Sequence, residues 1–404
     1  MRSVFQLNSV INMGSTGRIV EEIGKYVISK NWDSYIAFGR SLTLSESKTI
    51  KIGNSFDNKL HGLKTRLFDE HGLGSKMATY ELLKKIDSIK PDLIHLHNLH
   101  GYYLNYPLLF DYLSNQNAPV IWTLHDCWAF TGHCSYFSDI NCQKWKTHCG
   151  KCPKTKNYPS SIFMDNSYRN FDIKKQVFNK LTNLTIVTVS EWLASMVRES
   201  FLNQYTVQVI HNGINLNDFY PMNWSYEIDA KYGFSNRKVL LALATAWGKN
   251  KGWDDYITLS ELLPSDYVIV LVGVTKQQKS TLPSNMIGIE RTESIQELAS
   301  LYSQSYVILN LSYQETFGMT TIEGFACGTP AIVYNATASP ELVTTETGII
   351  VEPGDIKGVL FAVEEINSKG KEHYINRCRQ LAIDRYNQDD RFNDYFELYK
   401  SSIQ

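Results

Sequence analysis

Two glutamates, Glu315 and Glu323, are separated by seven residues in the second half of the chain. They follow an apolar run at 306–312 that predicts a buried strand, and they precede Gly328 and Pro330, which predict the end of a helix. We therefore expect one carboxylate at a strand-to-helix corner and the other inside the helix, with backbone amides between them. This arrangement suits an elongated ligand that has hydroxyl groups at both ends and phosphates in the middle.

Two lysines, Lys249 and Lys251, lie at another predicted corner, after the apolar run 239–244. Open parallel sheets bind ligands at the carboxyl ends of their strands, so both corners should share one edge of a sheet. Positive charge beside a helix N-terminus fits a diphosphate, whereas many loop lysines are simply solvated. The register with the glutamate segment favours the diphosphate interpretation.

A glycine-bearing turn in the first half contains Gly14 and Ser15 and precedes a predicted helix. Glycine allows the backbone to approach a ligand closely, and the helix N-terminus favours an anion. The turn therefore either contacts a ligand or only reverses the chain.

A histidine, His125, ends the predicted strand 120–125 and is followed by Asp126. Its ring can donate to a sugar hydroxyl or a phosphate, or it can be held inertly by Asp126. His95 and His97 alternate on the preceding strand, so both face one side of it. We interpret these two as packing or supporting residues rather than catalysts.

Four cysteines form the pattern C-x7-C-x6-C-x2-C in a long insert at about 127–170. They are Cys134, Cys142, Cys149 and Cys152. The pattern suits tetrahedral zinc, and a metal would stabilise an insert that is polar and has little apolar material. The alternatives are a redox or disulfide role, or free thiols without a role. His133 and His148 are candidates to replace one cysteine as ligand.

Short apolar runs alternate with helical patterns along the whole chain, which predicts parallel α/β sheets covered on both faces. Strands are predicted at 4–10, 34–38, 92–97, 120–125, 185–190 and 207–212, and again at 239–244, 267–272, 286–290, 307–311, 331–334 and 349–351. Helices are predicted at 17–29, 76–90, 104–114 and 191–201, and again at 253–263, 295–302, 319–326 and 356–367. The sequence therefore predicts two such sheets.

A length of 404 residues exceeds what one hydrophobic core usually serves. We predict a first domain at 1–218, which carries the cysteine insert, and a second domain at 219–386. The segment 387–404 has aromatic residues at helical spacing and is predicted to pack back on the first domain.

The 40 basic and 41 acidic residues leave a net charge of −1, which argues against a nucleic-acid partner. Lysines are nevertheless crowded between 144 and 180. They form either a solvated face or a surface that binds anionic lipid or a phosphorylated acceptor. The N-terminus does not resemble a signal peptide, and no apolar run is long enough to span a membrane. We expect a cytoplasmic protein, with peripheral contact to the inner face of the cell membrane as an open alternative.

The chain resembles a retaining glycosyltransferase of the GT-B class, in the large family marked by Glu-x7-Glu, and in particular bacterial enzymes of surface-polysaccharide or colanic-acid-like biosynthesis. The resemblance covers essentially the whole chain. It rests on Gly14-Ser15, 92–97, His125-Asp126, 189–191, 211–215, Lys251-Gly252 and 315–323. It implies two Rossmann-like doubly wound domains facing across a cleft. It also implies transfer from a nucleoside-diphosphate sugar to an oligosaccharide or lipid-linked glycan, without a catalytic cofactor.

The resemblance also implies roles for single residues. Glu315 would bind hydroxyls of the donor sugar, Glu323 the ribose, and Lys251 the diphosphate. His125 would contact the donor sugar near the reacting carbon, which makes it catalytic together with Glu315. The remaining residues expected at the donor are Gly14, Ser15, Lys249, Phe317, Gly318, Met319 and Thr320.

Family members often have an arginine about five residues before the lysine at 251, where this chain has Ala246; Lys249 would then supply the second charge. Two other functions stay open. One is a catalytically silent sugar-nucleotide sensor or scaffold protein. The other is a sugar phosphorylase built on the same two-domain plan, although no lysine site for pyridoxal phosphate is evident.

Overall fold

The computed structural model describes residues 1–223, 225–234 and 236–403. The chain forms two compact units, one made of Met1–His211 with the residues from Phe392 onward, the other of Asn212–Arg391. Each unit contains one parallel sheet with helices connecting its strands. The inner strands of both sheets are largely buried, as expected when helices cover both faces, whereas the two edge strands of the first sheet have no buried residue.

The first unit has seven parallel strands within the described residues, in the order β3-β2-β1-β4-β5-β6-β7. The strands are β1 (Ser3–Asn8), β2 (Asp33–Phe38), β3 (Lys48–Lys51), β4 (Leu93–Leu96), β5 (Val120–Leu124), β6 (Leu184–Thr188) and β7 (Thr206–Val209). The helices are α1 (Gly14–Ser29), α2 (Ser55–Phe68), α3 (Lys76–Ile89), α4 (Tyr106–Leu113), α5 (Ser167–Phe178) and α6 (Glu191–Glu199). The strand order reverses between β1 and β4, which is where such sheets bind ligands.

The second unit has six parallel strands within the described residues, in the order β10-β9-β8-β11-β12-β13. The strands are β8 (Lys238–Leu243), β9 (Tyr267–Val272), β10 (Met286–Ile289), β11 (Val307–Asn310), β12 (Ala331–Tyr334) and β13 (Gly348–Val351). The helices are α7 (Tyr226–Tyr232), α8 (Trp253–Leu262), α9 (Lys276–Ser280), α10 (Ile295–Gln304), α11 (Met319–Ala326), α12 (Ile356–Lys369) and α13 (Glu372–Tyr386). Here the order reverses between β8 and β11.

The last helix, α14 (Gln388–Ile403), buries its aromatic face in the core of the first unit. Phe396 packs edge-on against Trp32 with ring centroids 5.1 Å apart, and Tyr399 is fully buried. Aromatic side chains of this size contribute most of the apolar area in such a contact. The aromatic spacing noted in the sequence is therefore the face by which the helix docks.

Six elements were not predicted: β3, α2, α5, α7, α9 and α13. Helix α13 is rich in charge and buries only four residues, Tyr374, Cys378, Ala382 and Tyr386, along one narrow stripe. Helix α2 buries only His61 and Thr65 and exposes most of its apolar residues, so its periodicity does not mark a buried face. No helix in the described ranges is long and apolar enough to cross a membrane.

Candidate functional site

The lysine and glutamate corners meet in the second unit because β8 and β11 are neighbours in its sheet. Lys251, on a 3₁₀ turn after β8, donates from Nζ to Oε1 of Glu315 at 2.5 Å. Gly252 follows in the left-handed region at φ 73°, and a Cβ there would lie 2.3 Å from the carbonyl oxygen of Leu311. Only glycine allows the turn to approach the end of β11 this closely.

Neighbouring loops hold Glu315 at both of its backbone groups. Its amide donates to Oγ1 of Thr337 at 2.8 Å, and its carbonyl accepts from the amide of Ala338 at 3.2 Å. Both partners lie in the loop after β12, the next strand in the sheet. The carboxylate is therefore placed by three adjacent strand ends, and its side chain is 19% exposed.

Glu323 lies on α11 and accepts a hydrogen bond of 2.6 Å from the hydroxyl of Tyr302 at its Oε2. Tyr302 is fully buried at the end of α10. Burial, together with the charge of Glu323, holds the pKa of Tyr302 well above its usual value, so the hydroxyl stays protonated and donates. This contact orients the carboxylate of Glu323.

The residues between the two glutamates form the turn into α11. Gly318 has φ 112°, and a Cβ there would approach Cδ1 of Leu342 at 3.0 Å. Met319 and Thr320 are half-buried in the first helical turn, whereas the side chain of Phe317 is buried against Tyr386. Phe317 can therefore meet a ligand only through its backbone. Only the part of this segment from Met319 onward is helical.

Lys249, the other predicted phosphate-binding lysine, is exposed on the same 3₁₀ turn as Lys251. This turn follows β8, the strand at which the sheet order reverses. The two lysines thus differ: Lys251 is paired with a carboxylate and Lys249 faces solvent.

In the first unit, His125 lies directly after β5 and stacks on His97, which is carried on the strand end next to it. Nε2 of His125 and Nδ1 of His97 are 3.2 Å apart, and Nε2 of His97 is 3.3 Å from Oε1 of Gln6. Burial lowers the pKa of His125 to about 4, so the ring is neutral at physiological pH. A neutral imidazole has one donor and one acceptor nitrogen, and Nε2 of His125 already faces His97.

The supporting role predicted for His95 and His97 agrees with these contacts. Nδ1 of His95 is 2.6 Å from the hydroxyl of Tyr399 on α14, and its Nε2 is 2.8 Å from Oγ1 of Thr123. Burial holds the pKa of both histidines well below the usual value. A layer of neutral rings therefore lies beneath His125 and reaches the C-terminal helix.

Asp126, which one interpretation of the sequence expected to hold His125, acts on that ring through its charge and also pairs with His100. Its Oδ2 lies 2.9 Å from Nε2 of His100, and its Oδ1 accepts from the amide of Trp128 at 2.9 Å. Although burial opposes its ionisation, His100 and this amide hold the pKa of Asp126 below its usual value. The hydroxyl of Tyr158 completes the group at 3.0 Å from Nδ1 of His100.

Gly14 and Ser15 are exposed at the start of α1, also at a strand end of this sheet. Gly14 has φ 63°, and a Cβ there would meet nothing within 4 Å. The residue before the helix, Met13, caps no helix amide with its side chain. The turn therefore presents backbone amides on an open surface rather than in a tight cradle.

Comparison with known proteins agrees with this architecture. Residues 17–218, half of the chain, match the sequence model described as Glycosyltransferase Family 4, and residues 237–368 match Glycosyl transferases group 1. The chain belongs to Glycosyltransferase Family 4. The family resemblance inferred from the motifs is thereby confirmed at this level.

Relatives of this family 4 chain include "Putative colanic acid biosynthesis glycosyl transferase WcaC" of Escherichia coli (strain K12), 30% identical over 37% of the chain and 38% of the relative. Another is the O-antigen chain mannosyltransferase RfbU of Salmonella typhimurium, 26% identical over 52% of the chain and 57% of the relative. The chain thus aligns with less than two thirds of either relative.

Solved structures share the fold over essentially the full length. The sucrose-phosphate synthase of Thermosynechococcus elongatus superposes with a TM-score of 0.72 at 15% identity, covering 99% of each chain. Anabaena HepE in complex with UDP-glucose gives 0.67 at 14% identity, covering 99% of this chain and 100% of that one. The predicted GT-B class, with two Rossmann-like parallel-sheet domains, is confirmed.

The cysteine insert of this family 4 chain is better packed than its sequence suggested. Phe137 and Trp145 stack with ring centroids 5.1 Å apart, next to Phe130, and all three are buried. The expectation of little apolar material was therefore wrong. Lys174, counted among the crowded lysines, is also not part of a solvated face, because it is 1% exposed.

The cysteines predicted to bind zinc are all reduced, and all four line one small cavity. A hydrogen bond from Cys134 lowers the pKa of Cys152, although burial opposes its ionisation. In the described part of the chain, no group of three or more His, Cys, Asp or Glu side chains is arranged to hold a metal ion as it stands. Zinc therefore stays a prediction.

Two residues that contact the predicted site were not found from the sequence, Tyr302 and His100. Tyr302 lies inside a helix, where its direction depends on how that helix packs. His100 follows β4 by only a few residues, so the rule that strand ends meet at one edge could have identified it.

Proposed function

We propose that this family member is a retaining glycosyltransferase of surface polysaccharide biosynthesis. It would transfer a sugar from a nucleoside-diphosphate sugar to a lipid-linked glycan acceptor. The observation that carries the proposal is the ion pair of Lys251 with Glu315 at the point where the second sheet reverses its strand order, with Glu323 held by Tyr302 on the helix that follows. The similarity to WcaC and RfbU, named for colanic acid and O-antigen synthesis, and the UDP-glucose complex of HepE support this class of donor and acceptor.

The second unit would hold the donor. Glu323, oriented by Tyr302, would accept the ribose hydroxyls, and Glu315 those of the sugar. Lys251 is paired with Glu315, and the diphosphate would replace Glu315 as the partner of the lysine. Lys249, the amides of Gly318, Met319 and Thr320, and the N-terminal end of α11 would add positive potential.

The reaction breaks the bond between the anomeric carbon and the diphosphate oxygen and forms a bond from the acceptor oxygen on the same face of the sugar. The proton of the acceptor hydroxyl passes to the departing diphosphate. Catalysis would then rest on stabilising the developing negative charge of the leaving group and an oxocarbenium-like sugar. We assign His125 to this step because its neutral ring can donate to a sugar hydroxyl.

Turnover with a panel of UDP-, GDP- and ADP-sugars and a lipid-diphosphate-linked saccharide tests the proposal, read as released nucleoside diphosphate without added divalent metal. Glu315→Ala should lower turnover by about 10²–10³-fold. Glu261→Ala, an exposed glutamate on α8, is the matched control and should leave turnover unchanged. Full activity of Glu315→Ala contradicts the assignment, and donor binding without turnover by the unaltered chain favours a sensor. An inverted anomeric centre in the product contradicts retention.

We further propose that the first unit contacts an anionic membrane surface, where a lipid-linked acceptor resides. Helix α2 exposes the apolar residues Phe56, Leu60 and Leu63 together with the basic residues Lys59 and Lys64. Apolar side chains interleaved with positive charge are typical of helices that lie on anionic bilayers. Sedimentation with anionic vesicles should be reduced by Leu60→Gln with Leu63→Gln, and equal binding to neutral vesicles would contradict the proposal.

A further inference from the structure

The cavity of the cysteine insert collects side chains from three turns of an otherwise irregular segment. Its lining includes Cys134, Cys142, Cys149, Cys152, His133 and Trp145. The thiols of Cys134 and Cys152 are in hydrogen-bond contact with each other. Four cysteines separated by up to 18 positions in the sequence therefore line one small volume.

Backbone amides are aimed at two of these sulfur atoms. The amide of Gly132 donates to Sγ of Cys149 at 3.2 Å, and the amide of Lys154 donates to Cys152. A Cβ on Gly132 would lie 2.0 Å from the carbonyl oxygen of Ser167, so glycine is required for this approach. Donors that point at sulfur stabilise the thiolate, which is the form that binds metal ions.

Buried groups next to the cavity also favour negative charge inside it. Lys174 is 1% exposed and donates to the carbonyl oxygens of Trp128 and Thr131 at 2.6 and 2.9 Å. Among the described residues, no carboxylate lies within ion-pair distance of it. A buried ammonium normally has a compensating anion nearby. The thiols of Cys134 and Cys149 lie close enough to Lys174 to interact with it electrostatically.

His133 is placed between the cavity and a carboxylate. Its Nδ1 is 2.5 Å from Oδ1 of Asp69, and its Nε2 is buried without a hydrogen-bond partner in the described part of the chain. His148, the other candidate ligand, uses both ring nitrogens, for the carbonyl of Cys149 and for Asp172. Since four thiolates complete a tetrahedral zinc site and Nδ1 of His133 is held by Asp69, we assign His133 to the surroundings of an ion rather than to its ligands.

We propose that Cys134, Cys142, Cys149 and Cys152 bind one zinc ion as four thiolates, with Lys174 as buried counter-charge and His133 as a neighbour of the sulfur atoms. Four thiolates around one Zn²⁺ leave a net charge of −2, which the lysine and the aimed amides offset. Binding requires Cys142 and Cys149 to converge on the touching pair Cys134 and Cys152. A tetrahedral site of this kind is closed to substrate, so its role is structural.

The structural role extends to the histidine corner of the first unit. The insert carries Tyr158, whose hydroxyl contacts His100, and His100 pairs with Asp126, the neighbour of His125. An ion that holds the insert in place would therefore also hold Tyr158 against His100, the partner of Asp126. Loss of zinc should loosen 127–170 and leave nucleotide binding by the second unit unchanged.

Metal content and thiol reactivity test the proposal. Protein purified under reducing conditions without added metal should contain about one zinc per chain. Cys149→Ser with Cys152→Ser should lose it, and Cys327→Ser, which alters a buried thiol of the second unit, should retain it. In cobalt-substituted protein, the sulfur-to-metal charge-transfer band should have the intensity of four thiolates, and His133→Gln should keep both the ion and this band.

Several results would overturn the proposal. They are folded reduced protein that neither contains nor takes up zinc, a disulfide between two of the four cysteines found by mass spectrometry, and zinc that persists in the double variant. Loss of the ion in His133→Gln would overturn the four-thiolate ligand set. If the double variant does not fold, zinc is chelated from the unaltered protein, and hydrogen exchange should then increase within 127–170. Nucleotide binding, measured on the same samples, reports separately on the proposed transferase function.

Discussion

The two candidate corners are built from opposite kinds of side chain. In the second unit, the ammonium of Lys251 and the carboxylate of Glu315 form an ion pair where β8 and β11 end, and Glu323 lies on the helix that follows. In the first unit, the equivalent strand ends carry histidines that burial keeps neutral. Nine of the ten histidines of the chain lie within Met1–His211, and the tenth, His373, is exposed.

This difference separates two tasks. Charged groups that form an ion pair can exchange partners when a diphosphate arrives, so they suit binding of an anionic donor. Neutral rings buried in a layer hold one tautomer and one orientation, so they suit positioning of a hydroxyl at low electrostatic cost. Under the proposed function, nucleotide affinity would therefore come from the second unit and geometry at the reacting group from the first.

The largest expected effect that separates the units is acid sensitivity. Burial lowers the pKa of His61 and of His125 from 6.5 to about 4. Below pH 6.5 the unfolded chain binds protons that the native histidines do not, so stability falls as the pH drops towards 4. Each of the two contributes up to about 3 kcal/mol to this loss. Hydrogen exchange at pH 7 and pH 5, corrected for intrinsic rates, should show weaker protection in β1, β4 and β5.

The strands β8, β9 and β11 serve as the internal control for that experiment. Lys231 and other partners hold the pKa of Glu297 in the second unit below its usual value against the effect of burial, so its contribution is lost only below about pH 4.5. Equal loss of protection in both units between pH 7 and pH 5 would contradict the account. The same measurement on Cys149→Ser with Cys152→Ser should give the same difference, which excludes the cysteines as its cause.

The sequence predicted the charged corner more completely than the neutral one. Glu315 and Glu323 lie within nine residues of each other, and Lys251 follows the neighbouring strand, so local pattern and strand order place them together. The histidine corner depends on contacts between distant residues, such as His95 with Tyr399, which differ by 304 positions. Helices α2 and α13 were missed because few of their residues are buried, so neither has a broad apolar stripe.

A smaller effect should come from Tyr302→Phe, which removes the hydrogen bond to Glu323. A hydrogen bond to a charged group contributes about 1.5 kcal/mol or more, so donor affinity should fall about tenfold. Turnover at saturating donor should change little, because the carboxylate itself remains. Tyr306→Phe is the matched control, since its hydroxyl contacts Asn367 on the exposed surface nearby. Unchanged affinity in Tyr302→Phe would remove the orienting role.

The smallest effect expected is that of Tyr399→Phe, which takes the hydroxyl away from Nδ1 of His95. The cost is about 1 kcal/mol of the free energy of unfolding of the first unit, because a buried ring nitrogen loses its partner. Urea denaturation followed by hydrogen exchange should place this loss in the first unit. A similar loss of exchange protection in β8 or β11 would contradict the prediction that this contact stabilises the first unit.

Nucleotide binding by two variants tests the division of tasks most directly. Isothermal titration of UDP, GDP and ADP into the unaltered chain should identify at least one nucleoside diphosphate that binds. For that nucleotide, Glu323→Ala should weaken binding by about tenfold or more, since the ribose hydroxyls lose a charged acceptor. His125→Ala should bind it as tightly as the unaltered chain while losing turnover. Absence of binding by all three, or equal weakening in the two variants, would contradict the assignment of the donor to the second unit.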